Sequence, residues 1–225
     1  MMKITIYFIY ACLIGLFLLL FACAGSDTPL LFSAIGTVES QKSIYLDTDK
    51  ITVYTQNVLS GDYEVEVGDR VVVSFQFTNN TPDNVNIYVA DLQKIPTDTV
   101  FTVTDDIADT LYVDTVTAIK RMWLSKDYLT VDFTYSGLDT SLHKFRLTKK
   151  LSENIPPADT IVADTIRLSF RHNSEEKGEG SQIRSLRSFK LSNLKSLRHD
   201  SILLTIRTDL SSVTRDTRNF YYNYK

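Results

Sequence analysis

The sequence predicts an all-β protein: a small β-barrel followed by an antiparallel β-sandwich, behind a cleaved N-terminal leader. Three observations carry that reading. An uncharged apolar run near the N-terminus ends on a cysteine, apolar and polar residues then alternate with a period of two, and no long amphipathic helix follows. A period of two places apolar side chains on one face of a strand and polar ones on the other.

The leader comes first. Lys3 supplies one positive charge, residues 4–22 carry none, and the run closes on Leu20-Phe21-Ala22-Cys23. A run of about 20 apolar residues is long enough to span a bilayer. Here the small Ala22 before the cysteine, the small Ala24-Gly25-Ser26 after it, and the lack of a Lys/Arg stop-transfer cluster favour cleavage. The pattern looks like a bacterial lipoprotein signal, with residues 1–22 removed and Cys23 carrying lipid. Each buried methylene contributes about 0.8 kcal/mol, so one acyl chain holds marginally and two hold stably. Residues 23–33 then read as lipidated cysteine and tether, with Gly25, Ser26 and Pro29 breaking any regular element. Ala24 does not look like an inner-membrane retention signal, so the expected location is the cell envelope, anchored to the outer membrane, on its periplasmic or its surface side. Cys12 lies in the removed stretch and Cys23 carries the lipid, which leaves the mature fold no disulfide and no thiolate metal site.

Residues 34–104 read as the barrel. Ile51 to Tyr54 is short and β-branched; Val71, Val73, Phe75 and Phe77 share one face of a strand from Arg70 to Thr78; Val85, Ile87 and Val89 repeat the period. Turn chemistry separates them at Ser60-Gly61-Asp62, Val67-Gly68-Asp69 and Asn79 to Asp83. Residues 105–225 read as the sandwich. Leu129, Val131, Phe133 and Tyr135 form one apolar face, followed by Phe145 and Leu147, by Ile166, Leu168 and Phe170, by Ile202, Leu204 and Ile206, and by Phe220, Tyr222 and Tyr224. Strands at this spacing, separated by loops, suggest a sandwich.

The ordered set resembles a known family. A lipoprotein signal precedes a short acidic β-domain in which Gly68-Asp69-Arg70-Val71 opens the long strand. Trp123, Tyr128-Leu129-Thr130-Val131, His143 and Leu168 to Asn173 then follow in a longer β-domain. Together these resemble the NigD-like lipoproteins of Bacteroidetes. The resemblance implies an N-terminal OB-like barrel, a C-terminal β-sandwich, no enzymatic activity, and a protein-binding or bacteriocin-immunity-like role. The Glu/Lys/Gly-rich stretch after Asn173 departs from the family pattern.

Charge and motifs exclude several functions. Residues 34–104 hold four basic side chains against ten acidic ones, which repels a phosphate backbone and argues against nucleic acid as a partner. His143, His172 and His199 show no metal-ligand spacing, and Asp105, Asp106, Asp109 and Asp114 lack the calcium-loop pattern. No Gly-x-Ser-x-Gly turn occurs, and no catalytic residue, metal or cofactor is expected. Arg171-His172-Asn173 reads as structural, with His172 and Asn173 bonding loop backbone. An alternative function is a carbohydrate-binding surface module with Trp123, Phe220, Tyr221, Tyr222 and Tyr224 as platforms. The remaining candidate site is a basic patch of Arg184, Arg187, Lys190 and Lys195, facing an anionic envelope glycolipid or an acidic protein.

Overall fold

The computed structural model describes residues 30–78, 81, 84–104, 116–151, 165–176, 180–195, 200–211 and 213–224. Cys23 and most of the tether lie outside them, as do His199, Asp105, Asp106, Asp109 and Asp114. The described chain is all-β apart from one four-residue helix and two 3-10 turns.

Five strands close the barrel in the order β1-β2-β3-β5-β4: β1 (Phe32–Ser40), β2 (Ser43–Leu46), β3 (Ile51–Thr55), β4 (Arg70–Phe77) and β5 (Asn86–Lys94). Closure is made where Val38 N–H donates to Asp69 O at 3.0 Å and Gly68 N–H donates to Val38 O at 2.8 Å. The inward parity is the one the alternation predicts: Val71, Val73, Phe75, Ile87 and Val89 are buried with Ile44, Leu46 and Val53. The short helix α1 (Leu59–Asp62) adds Leu59 to the same core. β5 runs beyond Ala90 because it bulges there. Val89 faces Phe75 and Asp91 faces Ser74, so Ala90 opposes no residue of β4 and the inward parity resumes at Leu92. Gly36 is required on β1, since a Cβ there would stand 2.6 Å from Tyr45 O.

The sandwich has a five-stranded sheet in the order β14-β13-β11-β10-β7 and a four-stranded sheet in the order β6-β12-β9-β8. Its strands are β6 (Thr97–Thr99), β7 (Phe101–Val103), β8 (Ala118–Ser125), β9 (Tyr128–Gly137), β10 (His143–Lys150), β11 (Thr165–Ser174), β12 (Ser181–Lys190), β13 (Ser201–Asp209) and β14 (Arg215–Asn223). Four pairings are antiparallel, as expected. Three are parallel (β6 with β12, β7 with β10, β11 with β13), so the sandwich is mixed.

β6 and β7 fall within the stretch 34–104 that alternation assigns to the barrel, yet both hydrogen-bond into the sandwich. Only the buried Val100 separates them, and they join opposite sheets, so residues 97–103 cross from one sheet to the other. Three-residue strands are too short to show a period, which is why the pattern misses them.

The core between the sheets is aromatic. Phe133 lies 4.6 Å from Phe145 and 5.0 Å from Phe170, centroid to centroid, beside Leu147, Leu168 and Leu204. Such pairs add to the burial term. Phe133→Ala should therefore cost about 3–5 kcal/mol in urea unfolding of the whole chain, the range for a large-to-small core change. A loss below about 1 kcal/mol would contradict this packing.

Candidate functional site

Two polar clusters and two expected surfaces hold the residues singled out by sequence. The first cluster joins the barrel to the sandwich. Gly68, at φ +95°, and Asp69 turn the chain into β4, and Arg70 is the first residue of that strand. Its side chain has the parity opposite to Val71 and so leaves the barrel core. It is 0% exposed and meets Asp47, whose side chain is 4% exposed, in a two-pronged ion pair. Arg70 Nη1 also donates to Thr37 Oγ1 at 2.8 Å, and Nη2 donates to Thr130 Oγ1 on β9 at 2.9 Å.

Asp47 is served from the sandwich as well. Trp123 Nε1 donates to it at 2.9 Å and Ser125 Oγ at 2.6 Å, both from β8. The Tyr128 hydroxyl donates to Gly68 O at 2.7 Å, and its ring centroid is 5.4 Å from the Arg70 guanidinium carbon. This explains why β9 is buried on both faces. Leu129, Val131, Phe133 and Tyr135 point into the sandwich core, while Tyr128 and Thr130 meet Gly68 and Arg70 of the barrel. Trp123 is engaged by Asp47 and by Arg121, 5.1 Å from its ring, and is no open platform.

Removing one partner of a buried ion pair leaves the other charged and unpaired, at a cost of about 3–5 kcal/mol. Asp47→Ala should lose that much by denaturant titration, while Glu175→Gln, in the exposed Lys144–Glu175 pair, should leave the unfolding midpoint nearly unchanged. Equal losses would show that Asp47 and Arg70 do not join the two halves.

The second cluster is a chain of two imidazoles and a carboxylate at the β9–β10 end of the sandwich. His143 and His172 are both buried, with their rings nearly parallel at 13°. His143 Nε2 lies 3.1 Å from Glu176 Oε2, and His143 Nδ1 lies 2.8 Å from His172 Nε2. An ionised carboxylate only accepts, so His143 Nε2 carries a proton. With His143 neutral, Nδ1 is then the acceptor and His172 Nε2–H the donor.

The sequence reading has His172 bonding loop backbone; the structure places its Nε2 against His143 Nδ1. The group that grips backbone is Glu176, which accepts from Leu138 N–H at 2.9 Å and Asp139 N–H at 2.5 Å. Gly137 makes room for the cluster, since a Cβ there would stand 2.4 Å from His143 Nε2. The Leu138 and Asp139 N–H groups, and then His143, hold the Glu176 carboxyl below its ordinary 4.5.

The folded value being the lower one, this contribution is fully present above pH 4.5 and is lost as pH falls through the depressed value. Thermal melts of the whole chain below pH 4.5 should fall more steeply for the native protein than for Glu176→Gln. Parallel curves would contradict the clamp.

The expected basic patch is divided. β12 alternates, so Arg187 lies on the side of the buried Phe189 and stands 5.3 Å from the Phe145 ring, where burial pulls its pKa down. Arg184 and Lys190 project from the opposite face. Arg184 is bound by both oxygens of Asp132, at 2.8 and 2.6 Å, and Lys195 is 2.9 Å from Asp127. The four side chains do not share one surface. The expected carbohydrate platforms are reduced in the same way. Tyr222 is buried with its hydroxyl on Asp127, Phe220 and Tyr224 are half-buried, and Tyr221 alone is well exposed, at 74%. Among the described residues no group of three or more His, Cys, Asp or Glu side chains gathers as a metal site.

Neither Asp47 nor Glu176 is singled out by the sequence. An arginine heading an otherwise apolar strand after Gly-Asp was the available signal for the first; nothing marked the second.

Residues 99–222 match the model of the NigD-like C-terminal beta sandwich domain. No curated protein matches the sequence. Among solved structures, a protein of unknown function from Bacteroides vulgatus aligns with TM-score 0.65 at 20% identity, over 86% of this chain and 91% of that one. A NigD-like immunity protein from Bacteroides caccae aligns with TM-score 0.58 at 16% identity, over 88% of this chain and 98% of that one. A Bacteroides fragilis protein provisionally described as a lipoprotein aligns with TM-score 0.58 at 14% identity, over 87% of this chain and 99% of that one. At these identities the likeness is one of fold.

Proposed function

The chain belongs to the NigD-like family, and from that premise we propose a lipid-anchored, non-enzymatic envelope protein of the outer membrane that binds a protein partner in an immunity-like role. The observation that carries the reading is how the reactive side chains are used. Asp47, Arg70, His143, His172 and Glu176 bond one another, and their neighbouring groups, in holding strands and halves together. What such a fold offers outward is surface. The immunity protein from Bacteroides caccae, similar in fold, supports the same reading, and the lipoprotein-like neighbour supports the anchor.

Attachment is the part tested most directly. Cys23→Ala should accumulate as an unprocessed precursor without incorporated fatty acid, while the native chain is labelled by radioactive palmitate and partitions into detergent. A lipid-labelled product of mature size from the Cys23→Ala chain would sink the anchored reading.

A further inference from the structure

The barrel carries an aromatic surface that neither the core nor the junction uses. Tyr54 on β3 is 45% exposed and Tyr88 on β5 is 47% exposed. β3 and β5 run parallel with Tyr54 opposite Asn86, so Tyr88, two residues further along β5, lies on the same outer face and diagonal to Tyr54. Across β4, Gln76 stands opposite Tyr88 and Ser74 opposite Asp91. The bulge at Ala90 matters here, because it turns Asp91 outward beside Tyr88 while Leu92 returns to the core.

Asp62, which is exposed, ends α1 next to Tyr63. Tyr63, whose hydroxyl donates to Val89 O at 2.9 Å, has its pKa raised first by burial and then by the proximity of Tyr88, Asp62 and Asp91. The Tyr63–Val89 bond seats the end of α1 against β5, the strand that carries Tyr88 and Asp91. Neither Asp62 nor Asp91 has an ion-pair partner among the described residues.

We propose that the outer face of β3, β5 and β4, with Tyr54 and Tyr88 beside Asp62 and Asp91, docks a cationic segment of the partner bearing arginine or lysine. This rests on the partner-binding reading above and names the chemistry of that partner. Aromatic faces attract guanidinium and ammonium groups through their quadrupole, and carboxylates without a cation attract them by charge. Both preferences point to the same ligand, and both oppose an anionic one. The wider barrel reinforces the sign, with four basic residues against ten acidic ones over residues 34–104. Gln76 adds an amide along the edge of the face, suited to peptide backbone.

The test uses the lipidated full chain in detergent and a fluorescein-labelled oligoarginine peptide, read by anisotropy across a salt series. Saturable binding that weakens with salt is expected, because exposed charge is screened beyond about 8 Å at physiological ionic strength. The Tyr54→Ala/Tyr88→Ala double variant should bind about fivefold more weakly at fixed salt, the combined effect of two exposed cation–π contacts. Asp62→Asn/Asp91→Asn should flatten the salt dependence, and Asp49→Asn, on the β2–β3 turn, should leave it unchanged. Equal affinity of the native chain and the double tyrosine variant overturns the proposal, as does an equal loss from Asp49→Asn, which would mean diffuse attraction to an acidic protein. A photo-crosslinking residue placed in living cells at Tyr88 or at Tyr221 separates the two levels of the reading. Adducts from position 88 support the face; adducts from position 221 alone reject the face and leave partner binding standing.

Discussion

The buried pair of Asp47 and Arg70 is the contact on which the joining of barrel to sandwich rests. Two charges removed from water are tolerated when nearly all of their donors and acceptors find partners. In this pair Arg70 Nε is the one buried donor left without any among the described residues. The barrel alone supplies each charge with the other, and supplies Arg70 with Thr37. The remaining donors to Asp47 are Trp123 and Ser125, and the remaining acceptor for Arg70 is Thr130, all on the sandwich hairpin β8–β9. Neither half satisfies the pair by itself. The polar network therefore specifies one docking of the two halves, where an apolar contact would tolerate several.

That constraint also marks where alternation stops being readable. It worked for β4, β5 and the inner face of β9, whose apolar residues meet one core. It said nothing of the other face of β9, because Thr130 and Asp132 look the same whether they meet water or an arginine. Thr130 meets Arg70 and Asp132 meets Arg184, and both are buried. β6 and β7 were hidden for a different reason. Each is three residues long and is held by parallel pairing to a strand more than forty positions away, Thr97 with Ser188 and Phe101 with Thr148. Only the assembled sheets show them.

The candidate sites were less legible than the fold. His143 and His172 stand 29 residues apart and face each other because β10 and β11 pair with Phe145 opposite His172. Glu176 reaches them from just past β11. A basic run such as Arg184 to Lys195 looks like a patch only if its parity is ignored. β12 turns Arg187 toward Phe145 and the sandwich core, whereas Arg184 and Lys190 leave on the opposite side. In strands, charge counted along a segment and charge presented by a face are different quantities.

The same docking redistributes the surface of the barrel. Small five-stranded barrels of this strand order commonly use the face of their second and third strands for ligands. Here Tyr45, on β2, lies under the Lys126 ammonium, 4.0 Å from its ring centroid, and Glu39 holds both Lys126 and the Thr52 hydroxyl. Lys126 belongs to the turn of β8–β9, the same hairpin that satisfies Asp47. Anchoring that hairpin therefore engages Tyr45 and leaves Tyr54 and Tyr88 as the exposed tyrosines of the barrel's described strands. The open aromatic surface moves from β2 to the β3–β5 seam, where parallel pairing and the Ala90 bulge bring acidic side chains beside it. The ion pair that joins the two halves thus also determines which barrel surface remains available.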